Sequence, residues 1–168
     1  MAVGDVLLFC PVAFAHGPRI VAGPADIESR DDVDPAFTVG GAYAINGKVY
    51  TYVKFNNGAG NIAAVAGQAA YIHTAAAWSP HTGLAQVTSD ASDALGADGL
   101  AIVVGVFRNV ITDGQYGFIQ SGGVSVDVLN NGEAGDRLLA SSTDGQLNEA
   151  TAGGDVVEYV GVCLENSA

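Results

Sequence analysis

Three histidines and two cysteines are the residues that a nucleophilic active site would draw on. A serine or cysteine nucleophile needs a positioned base, most often histidine. His16 lies in a proline-rich segment, His73 ends a strand-like run, and His81 follows Ser79-Pro80 in a predicted loop. No serine lies in the G-x-S-x-G context of a nucleophile elbow. We therefore interpret the histidines as core or surface residues and predict no nucleophilic site.

The two cysteines, Cys10 and Cys163, lie near opposite ends of the sequence. Two cysteines are too few for a disulfide framework, and their spacing does not suggest a metal site. Cys163 lies in the strand-like run Val160–Leu164, where a buried thiol is unreactive. We predict two buried free thiols and leave open whether the two residues form a single disulfide.

Two groups of aspartates offer the oxygen ligands that Ca²⁺ prefers. One group contains Asp31, Asp32 and Asp34, and the other contains Asp90, Asp93 and Asp98. Neither group matches the D-x-[DN]-x-[DN]-G calcium loop. Aspartates in loops commonly cap turns through their own side chains. We therefore predict turn capping and no metal site.

The sequence also lacks a motif that would indicate a binding site for a sugar or a phosphate. Any two carboxylates can meet in space to hydrolyse a glycoside, but sugar clefts are usually aromatic and Trp78 is the only tryptophan. The phosphate-binding motifs G-x-G-x-x-G and G-x-x-x-x-G-K-[ST] are absent. The sequence therefore predicts a protein that is not an enzyme, with no catalytic, cofactor-binding or metal-binding residues. A hydrolase that uses scattered Asp and Glu is the least favoured alternative.

Charge limits the partners of this chain. The 168 residues include six basic and eighteen acidic side chains, a net charge of −12, and only 14% of the residues are charged. Ordinary soluble domains carry about 25%. Binding to a phosphate backbone or an anionic membrane needs clustered Lys and Arg, whereas these six are scattered. We therefore predict no nucleic-acid partner and no membrane partner, and no segment has the length of apolar sequence that a membrane helix needs.

The first 40 residues differ from the rest. They contain four of the five prolines and the acidic cluster Asp31–Asp34, which predicts an extended, irregular N-terminal arm over residues 1–40 with at most short strands. Val6–Ala15 is similar to a signal-peptide core, but no basic residue precedes Arg19, so the arm is the favoured interpretation. Such an arm wraps its own domain or lies on a neighbouring subunit.

Residues 41–168 are predicted to form a single β domain. The strongest hairpin pattern is Ala42–Ile45, the turn Asn46-Gly47, and Lys48–Phe55. In the second strand, Val49, Thr51, Val53 and Phe55 share one face, which we expect to be core. Lys48, Tyr50, Tyr52 and Lys54 share the other face, which we expect to be half-exposed or covered by a partner.

Further turns follow about every ten residues. They are predicted at Asp113-Gly114, Gly122-Gly123, Asn131-Gly132 and Asp144-Gly145. In the strand that is predicted to follow Gly122-Gly123, Val124, Val126 and Val128 share one face. The Ala-rich segment 61–78 is predicted to be mostly strand and loop, with a short helix as an open alternative. This spacing predicts an all-β fold, a small β-sandwich or barrel built from hairpins.

A weak internal repeat adds to this pattern. Ala66-Gly67-Gln68 leads, through several turns, to Val103–Phe107, and Ala134-Gly135-Asp136 leads in the same order to Tyr159–Cys163. A duplicated three-strand unit would explain the match. The alternative is that both halves follow the same general pattern of turns and strands.

Together, several short motifs resemble the capsid decoration (cement) proteins of tailed bacteriophages. The motifs are Val65–Ile72, Val104–Phe107, Asp113–Gly123, Ala134–Asp136 and Val160–Glu165. The resemblance covers about residues 60–168 and not the arm. It implies a small all-β homotrimer on the outer capsid surface of the virion, whose partner is the major capsid protein, and it carries no catalytic residue over.

We therefore expect a structural virion protein that clamps neighbouring major capsid subunits and whose arm lies on the capsid. Deleting residues 2–40 is expected to leave a folded trimer that no longer binds capsids. The alternative is a receptor- or glycan-binding β module of a tail or head fibre, which predicts an exposed aromatic patch at Tyr50, Tyr52 or Trp78. The acidic side chains, mostly in predicted loops, would keep either assembly soluble.

Overall fold

The computed structural model describes residues 2–9, 24–74, 85–96, 101–150 and 160–164. In these residues the chain forms ten strands, one four-residue α-helix and one 3-10 turn, so the predicted all-β class is confirmed. The elements are β1 (Ala2–Phe9), α1 (Pro24–Ile27), β2 (Ala42–Ile45), β3 (Lys48–Phe55), β4 (Ala69–Ile72), β5 (Gln86–Thr88), the 3-10 turn Ala91–Asp93, β6 (Val103–Phe107), β7 (Tyr116–Asn130), β8 (Arg137–Ala140), β9 (Leu147–Glu149) and β10 (Gly161–Cys163).

The strand pairings form two closed rings of five strands that share β7. In the first, which we call ring 1, the order is β3, β7, β6, β4, β5 and back to β3. In the second, ring 2, the order is β7, β1, β10, β8, β9 and back to β7. The barrel form of the prediction is therefore the one observed. Strand β2 lies outside both rings and pairs with β3.

The predicted repeat corresponds to two three-strand units with the same arrangement. In each unit the first strand, β4 or β8, lies between the second and third strands. The second strand, β5 or β9, also pairs in parallel with a strand outside the unit. The registers match as well. The pair Ala70↔Gly105 between β4 and β6 corresponds to Leu138↔Gly161 between β8 and β10. The pair Ile72↔Val87 between β4 and β5 corresponds to Ala140↔Leu147 between β8 and β9.

The turns that enter these units also match. Gly67 N donates to Phe107 O at 2.8 Å, and Gly135 N donates to Cys163 O at the same distance. Both glycines have positive φ, +88° and +96°, which a residue with a Cβ rarely adopts. The short sequence motifs of the repeat therefore mark the same local structure twice.

The predicted turn at Gly122-Gly123 is wrong, because β7 runs through it without a break for 15 residues. Gly123, with φ of 81°, bends the strand where it leaves β3 and continues beside β1. A bulge follows at Asp127, whose φ is 57°, and the register with β1 shifts there. The bulge also breaks the predicted alternation: Val124 and Val126 are 42% and 39% exposed, whereas Val128 is buried.

The hairpin around Asn46-Gly47 is confirmed, since Ile45 pairs with Lys48 and both turn residues have positive φ, 50° and 76°. This is the backbone that a type I′ turn requires. The turn at Asp144-Gly145 is also confirmed, because it joins the antiparallel strands β8 and β9. Segment 61–74 is loop followed by β4, as predicted, and residues 75–78 lie outside the described residues.

Both described parts of the predicted arm contact the chain's own β domain. Residues 2–9 form β1, which pairs with β7 and β10. Residues 26–37, which we call the strap, lie against the outer face of β3 and β7, and residues 10–23 lie outside the described residues. Of the two predicted possibilities, these parts of the arm wrap their own domain.

Candidate functional site

The strap covers the tyrosine face of β3. Ile27 is fully buried in a cluster with Tyr50, Tyr52 and Phe118. Phe37 completes it, with its ring centroid 5.2 Å from those of Tyr52 and Phe118 in edge-to-face contacts. The expectation that Tyr50 and Tyr52 are half-exposed or meet a partner is therefore wrong, because both are 0% exposed under the chain's own strap.

A first polar contact fastens the strap at Tyr50. Its hydroxyl donates a 2.6 Å hydrogen bond to Glu28 Oε1. The same carboxylate oxygen lies 3.5 Å from Lys48 Nζ and 3.7 Å from Arg108 Nε. Burial, followed by the bond to Glu28, raises the pKa of Tyr50 above its ordinary value, so the hydroxyl stays a donor at neutral pH.

A second polar contact repeats this arrangement at Tyr52. Its hydroxyl donates to Asp32 Oδ2 at 2.6 Å, and burial, followed by this bond, raises the pKa of Tyr52. Arg30 lies between Asp32 and Asp26, with nitrogen–oxygen distances of 3.5 Å and 3.1 Å. Its guanidinium also lies 5.2 Å from the centre of the Phe37 ring, a cation–π distance.

A third contact joins the strap to the loop between β6 and β7. Asp31 accepts hydrogen bonds from Thr112 N at 2.8 Å and Thr112 Oγ1 at 2.7 Å. Asp32 and Tyr116 exchange two backbone hydrogen bonds, of 2.7 Å and 2.9 Å. Asp31 and Asp32, which were predicted to cap turns, therefore hold the strap through contacts with distant residues, while Asp34 is exposed.

These contacts change the expected effect of deleting residues 2–40. The deletion would remove β1 from ring 2 and the strap from β3 together, and would expose a cluster of aromatic side chains. Exposing a large apolar side chain costs about 1.5–3 kcal/mol. We now expect the truncated chain to be strongly destabilised, so point substitutions are the better test of docking.

The second predicted acidic group organises a glycine-containing loop. Asp90 is 2% exposed and accepts hydrogen bonds from Gly60 N at 2.9 Å and Ser92 Oγ at 2.6 Å. Burial opposes its charge, but the hydrogen bonds from Ser92 and Gly60 outweigh burial and lower the pKa of Asp90. Asp93 accepts from Ala59 N. Among the described residues no three His, Cys, Asp or Glu side chains are grouped as metal ligands, and Asp98 lies outside them.

The remaining candidates for chemistry lie in a strand, in an isolated β-bridge or outside the described ranges. His73 is 7% exposed and forms a β-bridge with Ala94. Cys163 is 1% exposed, with Sγ 3.7 Å from Asn130 Oδ1 and from Gly132 O. The others, His16, His81, Cys10 and Trp78, lie outside the described residues.

The roles of Arg108 and Gln120 were not expected from the sequence. Arg108 Nη1 donates to Val126 O at 2.8 Å, and Gln120 Nε2 donates to Val124 O at 2.9 Å. These side chains supply donors to β7 where it passes from ring 1 to ring 2. The scarcity of basic residues was the available clue, because three of the six, Arg30, Lys48 and Arg108, lie at the strap.

Two features of the surface bear on partners. Val33, in the strap, is 72% exposed, and Val110 is 59% exposed. Val110 lies next to the strap in the fold, because its neighbour Asn109 donates a hydrogen bond to Arg30 O. Contiguous exposed apolar patches mark contact with another protein, and these two side chains are the apolar residues that such a patch near the strap would use. With Tyr50 and Tyr52 buried, the aromatic patch predicted for a glycan-binding module loses two of its three members.

Within the described residues, no helix has the length and apolar character needed to cross a membrane. No protein-family model matches the chain, and neither the curated proteins nor the solved structures include a match to it.

Proposed function

We propose that this chain is a structural virion protein, a capsid decoration or cement protein of a tailed bacteriophage. It binds the outer surface of the head as a homotrimer and clamps neighbouring major capsid subunits. The observation that carries the proposal is that four of the five sequence motifs which resemble cement proteins occupy equivalent positions in the two matched strand units.

Those motifs are the entry turns and closing strands of the units. Ala66-Gly67-Gln68 and Ala134-Gly135-Asp136 are the turns that lead into β4 and β8. Val104–Phe107 and Gly161–Cys163 fall in β6 and β10, the third strand of each unit. These four motifs therefore describe one structural unit that occurs twice, and the fifth, Asp113–Gly123, covers the loop before β7 and the first half of that strand.

The architecture suits a protein that bears mechanical load. Strand β7, 15 residues long, contributes its first half to ring 1 and its second half to ring 2, so force applied to one ring passes to the other along a covalent strand. Each ring closes on itself, which removes open strand edges. The strap adds buried aromatic packing and three polar contacts across the outside of ring 1.

The surface suits protein partners rather than nucleic acid. The net charge of −12 opposes binding to DNA, and an outer capsid position avoids the packaged genome. Val33 and Val110 are exposed apolar side chains near the strap, and the acidic side chains of Asp31 and Asp34 beside Val33 are exposed as well. We therefore assign the major capsid protein as the partner of this face.

The test is to add the purified protein to bare capsids of the phage that encodes it, and to measure occupancy and the temperature at which the heads release DNA. The wild-type chain is expected to saturate its sites and raise that temperature. Val33→Asp is expected to weaken binding, whereas Ser142→Asp, the same charge change at another exposed position, is expected to bind normally. Binding to host cells or polysaccharide with no binding to capsids would overturn the proposal in favour of the fibre module.

A further inference from the structure

Ring 2 is closed by a strand from the far end of the sequence. In ring 1, the strand between β6 and β3 is the first half of β7, which directly follows β6 in the chain. In ring 2, the equivalent position beside β10 is filled by β1, residues 2–9. The two rings thus share an arrangement but differ in how the closing strand is connected.

Strand β1 contributes heavily to ring 2. It pairs with β7 from Ala2↔Asn130 to Phe9↔Gly122, and with β10 from Val6↔Cys163 to Leu8↔Gly161. Val6 and Leu8 are 0% and 2% exposed in one core cluster with Val128 and Cys163. The slot between β7 and β10 therefore needs a strand to complete both its backbone hydrogen bonds and its core.

The chain connects β1 to the rest of the fold through residues 10–23. A segment of that length can span roughly 45–50 Å when extended, so the connection does not by its length confine β1 to the slot of its own chain. The strap differs in this respect, because it continues directly through Gly40 and Gly41 into β2 and β3. Strand β1, in contrast, can change partners without disturbing ring 1.

We propose that β1 is exchanged between copies, so that β1 of one copy fills the slot between β7 and β10 of the next. Exchange of an identical element between protomers keeps the same contacts, and it is a low-cost route to a closed symmetric oligomer. The inference rests on the self-association part of the proposed function, and not on capsid binding. It names the segment that links the copies.

The test uses two chains that each carry one cysteine. Leu7 and Val124 are paired across β1 and β7, and directly opposed antiparallel residues have the separation that a disulfide requires. In a background of Cys10→Ser and Cys163→Ala, one chain carries Leu7→Cys and the other carries Val124→Cys with a tag that changes its mass. Neither chain can form this disulfide within itself.

After the two chains are refolded together and oxidised, exchange predicts a covalent heterodimer on a non-reducing gel. Each chain oxidised alone controls for random coupling. A chain with both substitutions reports whether the pair can form, and the pair Ala44→Cys with Val49→Cys, opposed within the β2–β3 hairpin, provides an intrachain reference. The heterodimer supports the proposal, provided that light scattering gives an oligomer.

Two other outcomes separate the possible failures. An oligomer without heterodimer, in which the doubly substituted chain forms only an intrachain bond, overturns strand exchange and leaves the homotrimer standing. A monomer by light scattering overturns both exchange and self-association. If the doubly substituted chain does not fold, the same experiment with Leu8→Cys and Gly161→Cys, paired across β1 and β10, decides the question.

Discussion

The hydroxyl of Tyr52 donates a 2.6 Å hydrogen bond to the carboxylate of Asp32, a residue 20 positions earlier in the chain. The hydroxyl oxygen of Tyr52 also accepts a hydrogen bond from Ala36 N at 3.2 Å. One side chain of β3 therefore holds the strap at two points. The position of the strap depends on this tyrosine more than on any local preference of residues 26–37.

Tyr52→Phe is expected to destabilise the protein by about 1–3 kcal/mol. The change removes the donor that bonds the Asp32 carboxylate and the acceptor that bonds the Ala36 N–H. The measurement is the urea midpoint of unfolding. Tyr116→Phe is the matched control, since its ring stacks on Tyr52 but is only half-buried. Equal losses in the two variants would contradict the assigned role of the Tyr52 hydroxyl.

Stability is expected to fall in alkaline solution. Burial raises the pKa values of Tyr50, Tyr52 and Tyr71 in the folded state, while the unfolded chain titrates near 10. The folded state therefore holds these protons more tightly, so the stability that they contribute is complete below about pH 10 and is lost as the pH rises further. Urea midpoints at a series of pH values test this, and Tyr71→Phe should make the decline shallower. A flat profile between pH 9 and 11 would refute it.

The two equivalent turn glycines are expected to respond differently to substitution. A Cβ at Gly67 would lie 2.2 Å from Asp127 O, whereas a Cβ at Gly135 would have nothing within 4 Å. Both positions have positive φ, so Gly135→Ala should cost only the backbone term, about 1–2 kcal/mol. Gly67→Ala should cost clearly more, because it also separates the turn from the β7 bulge. Similar unfolding midpoints for the two variants would show that the turn does not dock there.

Acid is expected to loosen the loop at residues 57–61 through Asp90. Hydrogen bonds lower the pKa of this carboxyl below its unfolded value, which is about 3.9. Its contribution to stability is therefore present above about pH 4 and is lost as the pH falls through the folded pKa. Asp90→Asn should flatten the pH dependence of stability in this range, and Asp34→Asn, at an exposed position, should not. Hydrogen exchange of the Gly60 amide gives a local measurement of the same effect.

Some features of this fold follow from short stretches of sequence. The type I′ turn at Asn46-Gly47 and the turn at Asp144-Gly145 could be predicted because positive φ is a local property of these residue types. The all-β class could be predicted for the same reason, since alternation and turn spacing are also local. The turns at Gly67 and Gly135 share a short local motif, whereas their matching strand registers are set by tertiary pairing.

Other features were decided only when distant parts of the chain met. The sequence by itself determined that Tyr50 and Tyr52 share a face of β3, but not that Glu28 and Asp32 would cover them, because those contacts join residues 22 and 20 positions apart. The sequence has two glycines at positions 122 and 123, which suit either a turn or a bent strand. The pairing of this segment with β3 and β1 decided that it is a strand. The closure of ring 2 by β1 had no local sign, because strand partners are chosen by burial and hydrogen bonding across the whole fold.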